Sequence, residues 1–479
     1  MSQLEFTTII LAAGQGTRMK SPLPKVLHPV AGYPMIQRVI QTVKDAGSTE
    51  TRVIVGYSEK LVRQVVEPLG VSCHKQEKQL GTADAVKAAD LETIEGLVLI
   101  MNGDHPLIEP SDIKKIFEDF KADQADISVV TAQVKNPGNL GRIVRHMGDL
   151  KAIVEVADAS ADTLKINEVN TGIYVAEAEA LDALLPLIDN HNAQNEYYLT
   201  DIIPKAIEDG YTVSAIKSTP KVAYGVNTQQ QLAKSTNVIF KRKCKKLMDA
   251  GVVIVDPSST YIEDQVEVGP GTVIYPGTYL RGQTVIGSYS VVEPHTYISD
   301  SQLDDGVQVR AGSYFEKAQV HKGAIVGPYA RLRPDANIGP EAQIGNFVEV
   351  KKANIGKGSK AAHLTYIGDA DIGEGTNIGC GTITCNYAAD KKKYRTKIGD
   401  NAFIGSDTQF IAPVTIGDHA VIGSGSTITK DVPDRALAVA RGRQVIKENY
   451  VKKEAEAKTK TANKSENASA NVDTPQKES

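Results

Sequence analysis

The chain of 479 residues contains no tryptophan, and aromatic residues make up only 5% of it. A binder of nucleic acid built on stacking platforms would show aromatics among its basic residues. The net charge of −4 and the lack of any broad basic stretch point the same way. No apolar run is long enough to span a bilayer, so no membrane insertion is expected. The N-terminus, "MSQLEFTTIILAAGQG", lacks a basic leader and a cleavage site, so it does not read as a signal peptide. The four cysteines, Cys73, Cys244, Cys380 and Cys385, form no C-x-x-C pair and are too few for a disulfide framework. A soluble, cytoplasmic protein with reduced thiols is the expectation. Its length exceeds what one hydrophobic core organises, so two or three domains are expected.

What is present falls into two halves with different periods. "FTTIILAA" (6–13) reads as a buried strand, and "TRVIVGY" (51–57), "GLVLIMNGD" (96–104) and "ADISVVTAQV" (125–134) as further strands. Helical spacing, as in "MIQRVIQTVKDAG" (35–47), lies between several of them. This alternation predicts a mostly parallel, Rossmann-like α/β sheet over 1–229, with ligands beyond the carboxyl ends of the strands. Residues 230–250 read as a helical linker. From there the period becomes six: Ile262, Val268, Ile274, Leu280, Ile286, Val292 and Ile298, then Val326 to Val350, then Ile398 to Ile428. No helix has that period, whereas a hexapeptide solenoid does. A solenoid is therefore expected over 251–447. Its register lapses at 351–371 and 380–397, which read as inserted loops on a binding face. The polar tail, 448–479, is expected to be mostly disordered.

The stretch "LAAGQGTRMKSPLPK", Leu11 to Lys25, follows the first strand. It lacks the third glycine of the dinucleotide fingerprint and the Gly-Lys-Ser/Thr of the P-loop. By itself it is either a phosphate cradle or an ordinary strand–helix turn. Asp104, after an apolar run, is either a metal ligand or a cap. His363 in "KAAHLTY" is either a base or a surface residue.

Longer motifs separate these alternatives. "LAAGQGTRM", "PLPKVLHPVAG", "QLGTADA", "NGDHPL", "GRIV", "IVE", "INEVNTGIY" and "GVN" resemble the sugar-1-phosphate nucleotidyltransferases. "RLRP", "IGNFVEVKKA", "KAAHLTYIGD", "GTITCNY" and "FIGSDTQFIAPV" resemble the hexapeptide acetyltransferases. Joined in this order over 6–447, they look like the family of bifunctional N-acetylglucosamine-1-phosphate uridyltransferases and glucosamine-1-phosphate acetyltransferases.

The resemblance implies a left-handed parallel β-helix for the solenoid, packed as a homotrimer. It implies acetyl transfer from acetyl-CoA to glucosamine 1-phosphate. Uridylyl transfer from UTP to N-acetylglucosamine 1-phosphate follows, supplying UDP-N-acetylglucosamine to cell-wall and lipopolysaccharide-type glycans. In the first half it assigns Leu11, Ala12, Ala13, Gly14, Arg18 and Lys25 to the nucleotide and its phosphates, with Asn102 and Gly103 beside them. Gln76, Gly81 and Thr82 match uracil-reading positions, and Gly141, Glu155 and Asn170 those that hold the sugar. Asp104 and Asn227 match the ligands of Mg²⁺, which takes few protein groups beside phosphate oxygens.

In the second half His363 is the implied base, its ring oriented by Glu349 or Asn386. Arg333, Lys351, Tyr366 and Asn377 match sugar-phosphate contacts. Cys380, Asn386, Tyr387, Ser406, Ser424 and Arg441 match the acetyl-CoA side. Two positions depart from the family: Asp84, where histidine is usual, and Cys380, where alanine is.

Three rival readings remain open: a pyrophosphorylase with a purely structural solenoid, a solenoid zinc enzyme, and a scaffold. The second needs converging histidines, and His295, His321, His363 and His419 are scattered.

Overall fold

The computed structural model describes residues 4–469. The N-terminal sheet runs, in spatial order, Val213–Ser218, Ile127–Gln133, Glu168–Glu177, Leu97–Asn102, Phe6–Leu11, Ser48–Val55 and Ser72–Lys75. All neighbours are parallel except Glu168–Glu177, which runs antiparallel to both of its neighbours. Successive side chains of a strand face opposite sides of a sheet. Ile9 and Ile54 accordingly enter one hydrophobic cluster, and Ile10 and Val53 the other. Helix Met35–Ala46 buries Met35, Ile36, Val39, Ile40, Val43 and Ala46 on one face. It stops at Gly47, whose φ of +119° a side chain would strain.

Helix Gln229–Asp249 follows, its N-terminus capped by the Thr228 hydroxyl, which accepts from Gln231 N. Ile239 on this helix packs with Val30, Met35, Leu107 and Val226 of the first half. Cys244 and Leu247, farther along, enter the core of the second half.

That second half is a parallel β-helix. Its three inward columns are read directly from the strand register. One runs Ile262, Leu280, Ile298, Phe315, Leu332, Val350, Ile367. Its members are fully buried, each contributing about 1.5–3 kcal/mol by removal from water. Two residues before many of the inward residues of all three columns stands a buried threonine or serine, such as Thr272, Thr278 and Thr284. Their hydroxyls donate to backbone carbonyls at the corners.

The gap in the six-residue register after Ile298 is not a gap in the fold. Leu303, Val309, Phe315 and Val320 fill it, all buried. On one face Val285 pairs with Gln302 and Gln302 with Gln319, a step of seventeen residues where three full hexads would give eighteen. The lapse at 351–371 corrects the expectation of an inserted loop. Strands Gln343–Lys351 and Lys360–Gly368 pair continuously, from Gln343 with Lys360 to Lys351 with Gly368. The coil simply continues, with a step of seventeen from Ile338 to Ile355 and with Ala361 at a core position between Ile344 and Ile378. Only the second lapse holds extra chain. Asp371 pairs with Lys397, twenty-six residues on, and the surplus folds into a hairpin closed by an antiparallel bridge between Tyr387 and Lys393.

The tail also differs from expectation over its described part. Tyr450–Ser469 is a helix, in keeping with its many alanines, lysines and glutamates. Residues 470–479 lie outside the described residues.

Candidate active sites

The first site lies at the carboxyl ends of the parallel strands. Gly103 N donates to Leu11 O (2.9 Å), joining the ends of two neighbouring strands. Val226 N donates to Asp104 O (3.0 Å), bringing Asn227 from the far end of the domain beside Asp104. The Lys25 ammonium sits between them, 2.5 Å from Asp104 Oδ2 and 3.0 Å from Asn227 Oδ1. Arg18 also donates to Asn227 Oδ1, at 3.0 Å. Asp104 is buried, and its Oδ1 has no hydrogen-bond partner. Burial alone would push its carboxyl up, but the Lys25 ammonium and the neighbouring His105 outweigh that and hold it below the usual carboxylate range. Burial pushes His105 itself down.

Two cavities open from this point. The larger, about 820 Å³, is lined by Arg18, Lys25, Gly141, Glu155, Asn170 and Asn227 among others. Asn170 N donates to Gly141 O (2.9 Å), and Glu155 Oε1 lies beside Gly141, so the three sugar-assigned residues form one wall. Burial raises the Glu155 carboxyl, and Asp201 and Asp158 add to the effect. Asn170 Nδ2 donates to the Tyr174 hydroxyl (3.0 Å). The smaller cavity, about 300 Å³, is lined by Leu11, Ala12, Ala13, Gly14, Gln76, Gly81 and Thr82. Asn102 borders both.

The second site runs up one corner of the β-helix. Asn346 pairs with His363 in register. Ala361 pairs with Ile378, which sets Cys380 above His363. A Cβ on Gly379 would meet Ser406 N, and one on Gly405 would meet Ser424 N. Asn346, His363, Cys380, Ser406 and Ser424 thus form one column on successive coils. Arg441 extends it by donating to Ser424 O (2.8 Å). A second column carries Arg333 and Lys351. Tyr366 stands between the two columns, on strand Lys360–Gly368, and Asn377 stands on the other side of the first column, level with Lys360.

Asn346 Oδ1 lies 2.9 Å from His363 Nδ1. Neither expected orienter of the ring has that role in this structure. Glu349 accepts from Arg333 (2.8 Å), and Asn386 donates to Asp369 Oδ2 (2.5 Å), each held by a stronger charged partner. A further cation, Lys393, comes from the hairpin toward Lys351. Arg333 first and Lys393 second push the Lys351 ammonium below its usual range. Lys393 had no local signal, because the hairpin alone brings it there. Tyr387, in the same hairpin, is exposed.

The MobA-like NTP transferase domain family matches residues 8–190, and the bacterial transferase hexapeptide family matches residues 395–430. The "Bifunctional protein GlmU" of Bdellovibrio bacteriovorus is 63% identical, covering 95% of this chain and 99% of that protein. That of Carboxydothermus hydrogenoformans is 47% identical, covering 93% and 99%. The chain belongs to the GlmU family. It is a bifunctional transferase, with a nucleotidyltransferase half and a hexapeptide-repeat half, as the motifs predict. The hexapeptide repeat of the GlmU family accounts for the left-handed β-helix. Among solved structures, a UDP-glucose pyrophosphorylase covers 50% of this chain at 16% identity with a TM-score of 0.41, a likeness on which nothing further rests.

Proposed function

We propose that this chain makes UDP-N-acetylglucosamine in the cytoplasm by two reactions at two separate sites. At the β-helix corner, the amine of glucosamine 1-phosphate attacks the thioester carbonyl of acetyl-CoA. The C–S bond breaks and coenzyme A leaves. In the cleft, a phosphate oxygen of N-acetylglucosamine 1-phosphate attacks the α-phosphorus of UTP, and pyrophosphate leaves.

The observation that carries the reading is the Lys25 ammonium held between Asp104 and Asn227 where the two cavities meet. Two oxygens that already hold one cation, with a third buried beside them that makes no hydrogen bond and lies 3.5 Å from His105 Nε2, suit a hard divalent ion. Asp104 and Asn227 would hold Mg²⁺ there, which when bound neutralises phosphate charge. Repulsion between two anionic reactants is the obstacle, so the residues needed are cations and donors rather than a protein nucleophile. Arg18 and Lys25 offset the triphosphate charge. Gly141, Glu155 and Asn170 hold the sugar, and the smaller cavity holds the base.

At the corner, His363 takes the proton from the attacking amine. Nδ1–H donating to Asn346 leaves Nε2 free for that transfer. Arg333, Lys351 and Lys393 gather the sugar phosphate, with Tyr366 and Asn377 beside it. Cys380, Asn386, Tyr387, Ser406, Ser424 and Arg441 line the path of acetyl-CoA. His363, Cys380, Ser406, Ser424 and Arg441 are exposed, so a neighbouring copy is needed as the opposite wall. A homotrimer packed through the β-helix supplies it.

Mass spectrometry of products from glucosamine 1-phosphate, acetyl-CoA, UTP and Mg²⁺, omitting one component at a time, tests the scheme. N-Acetylglucosamine 1-phosphate should accumulate without UTP, and nothing should form without acetyl-CoA. Product formed without acetyl-CoA would overturn it. Light scattering tests the assembly, and a monomer with full acetyl transfer would sink the shared wall.

A further inference from the structure

Gln76 is buried in the wall of the smaller cavity, and its amide nitrogen Nε2 stands between two acceptors. Gly81 O is 3.0 Å away and Asp84 Oδ2 is 2.8 Å away. A backbone carbonyl offers only lone pairs, and so does a carboxylate. The NH₂ end of the amide must therefore face them, because the reverse orientation would set Oε1 against two oxygens. Neither acceptor is free to withdraw. Gly81 has a φ of +133°, and a Cβ there would lie 2.4 Å from Tyr197 O, so its backbone is tightly seated. Asp84 sits in the first turn of helix Thr82–Lys87, whose Thr82 hydroxyl accepts from Leu199 N at 2.9 Å. With Nε2 fixed, Oε1 is the end left for the cavity. The wall presents an acceptor, and a ligand edge meeting it must supply an N–H.

We propose that Asp84 is a positioning residue that sets base specificity, by locking Gln76 so that its carbonyl end faces the base. A uracil-type ring carries an N–H between its two carbonyls and satisfies that oxygen. A cytosine-type ring carries a lone pair at the same atom and is repelled. The amide cannot turn over to accommodate cytosine while Asp84 holds its other end. A site built around a specific hydrogen bond rejects the analogue that lacks it far more strongly than an apolar pocket rejects a missing methylene. This inference rests on the reading that the smaller cavity holds the base of the triphosphate.

The test compares kcat/KM for UTP and for CTP in the full-length protein, with binding of each followed by calorimetry. Circular dichroism melting of each variant against the parent reports that the nucleotidyltransferase half is folded. Asp84→Leu removes an acceptor, whereas Asp84→Asn keeps an oxygen that can accept. D84L should lower the UTP/CTP preference about ten-fold, the size of one hydrogen bond, through KM rather than kcat. D84N should stay within about three-fold of the parent, since the contact survives. Asp84→Ala serves as a second variant should leucine disturb the fold. Gln76→Ala should weaken UTP binding whatever stands at position 84. If D84L and D84A keep the parental preference while Q76A loses UTP, the positioning role is overturned. D84N as relaxed as D84L would overturn it too, because an oxygen acceptor is all the role requires. If Q76A binds UTP as the parent does, the base is not in this cavity and the underlying reading fails instead.

Discussion

The two sites follow opposite plans. The cleft is made of single residues drawn from widely separated parts of the chain and tied by specific hydrogen bonds, with Gln76, Asp104 and Asn170 buried among them. Asp104 and Asn227 meet there although 123 positions separate them. The corner site is made by repetition, since each coil sets its residue above the last. A repeat gives alignment without enclosure, so this column stays open to solvent. Burial is what shifts His105 and Glu155 in the cleft, and at Asp104 it is opposed and outweighed by Lys25 and His105. At the corner, Lys351 shifts mainly through neighbouring cations. The cleft gathers its residues within one chain, whereas the corner leaves its column exposed along one face.

The sharpest way to break this comparison is to remove one key residue from each plan. Asp104→Ala leaves the Lys25 ammonium and Asn227 without their carboxylate. Uridylyl transfer should fall by at least about 10³-fold, on the scale of losing a main electrostatic group. Acetyl transfer should be unchanged, as pyrophosphate and coenzyme A release assays would read in parallel. His363→Ala should do the reverse. It should cost about 10²–10⁴-fold in acetyl transfer, the usual worth of a general base, with uridylyl transfer intact. Loss of both activities in either variant would show that the sites are coupled.

Asn346→Ala sharpens the comparison within the corner. It leaves the base in place but frees its ring, so kcat for acetyl transfer should drop about ten-fold with KM for acetyl-CoA little changed. An unchanged kcat would remove Asn346 from the mechanism.

The smallest effect belongs to the cleft. The Glu155 carboxyl is raised in the folded protein, so its charged form opposes folding. The stability cost is absent below the unfolded pKa and grows as pH rises through the folded one. Glu155→Gln should therefore raise the melting temperature of the ligand-free protein by about 2 °C at pH 8. The gain should be smaller at pH 5, while KM for N-acetylglucosamine 1-phosphate rises. Calorimetry at the two pH values checks the sign, and an equal shift at both would mean that the charge is not the cause.

Much of the architecture is legible in the sequence because it is periodic. The hexads show wherever a large aliphatic recurs at six, and strand–helix alternation marks the first half. The hexads are hidden where the step shortens to seventeen, as at Leu303, Val320 and Ile355, and where alanine takes the core position, as at Ala361. The candidate sites divide in the same way. Asp104 and His363 stand in longer motifs, and Asn227 closes the short "GVN". Asn346 reaches His363 only because one coil lies on the next, and Lys393 reaches Lys351 only through the hairpin. Gln76 and Asp84 are eight residues apart across a tight turn, and their contact depends on the conformation of Gly81. Such pairings are properties of coil length and turn geometry, which no single stretch of residues displays.

Helix Gln229–Asp249 has a consequence for how the molecule comes apart. Ile239 anchors it to the first half, while Cys244 and Leu247 plug the end of the β-helix, where the first coil has no predecessor to cover it. A solenoid needs such a stopper, since an open coil end exposes its core. Here the stopper is owned by the neighbouring enzyme. A cut before the helix strips Ile239 from the first half, and a cut after it uncorks the β-helix and leaves the first half carrying two bared core residues. No scission along this helix yields two whole proteins, so the two activities share a seam as well as a product.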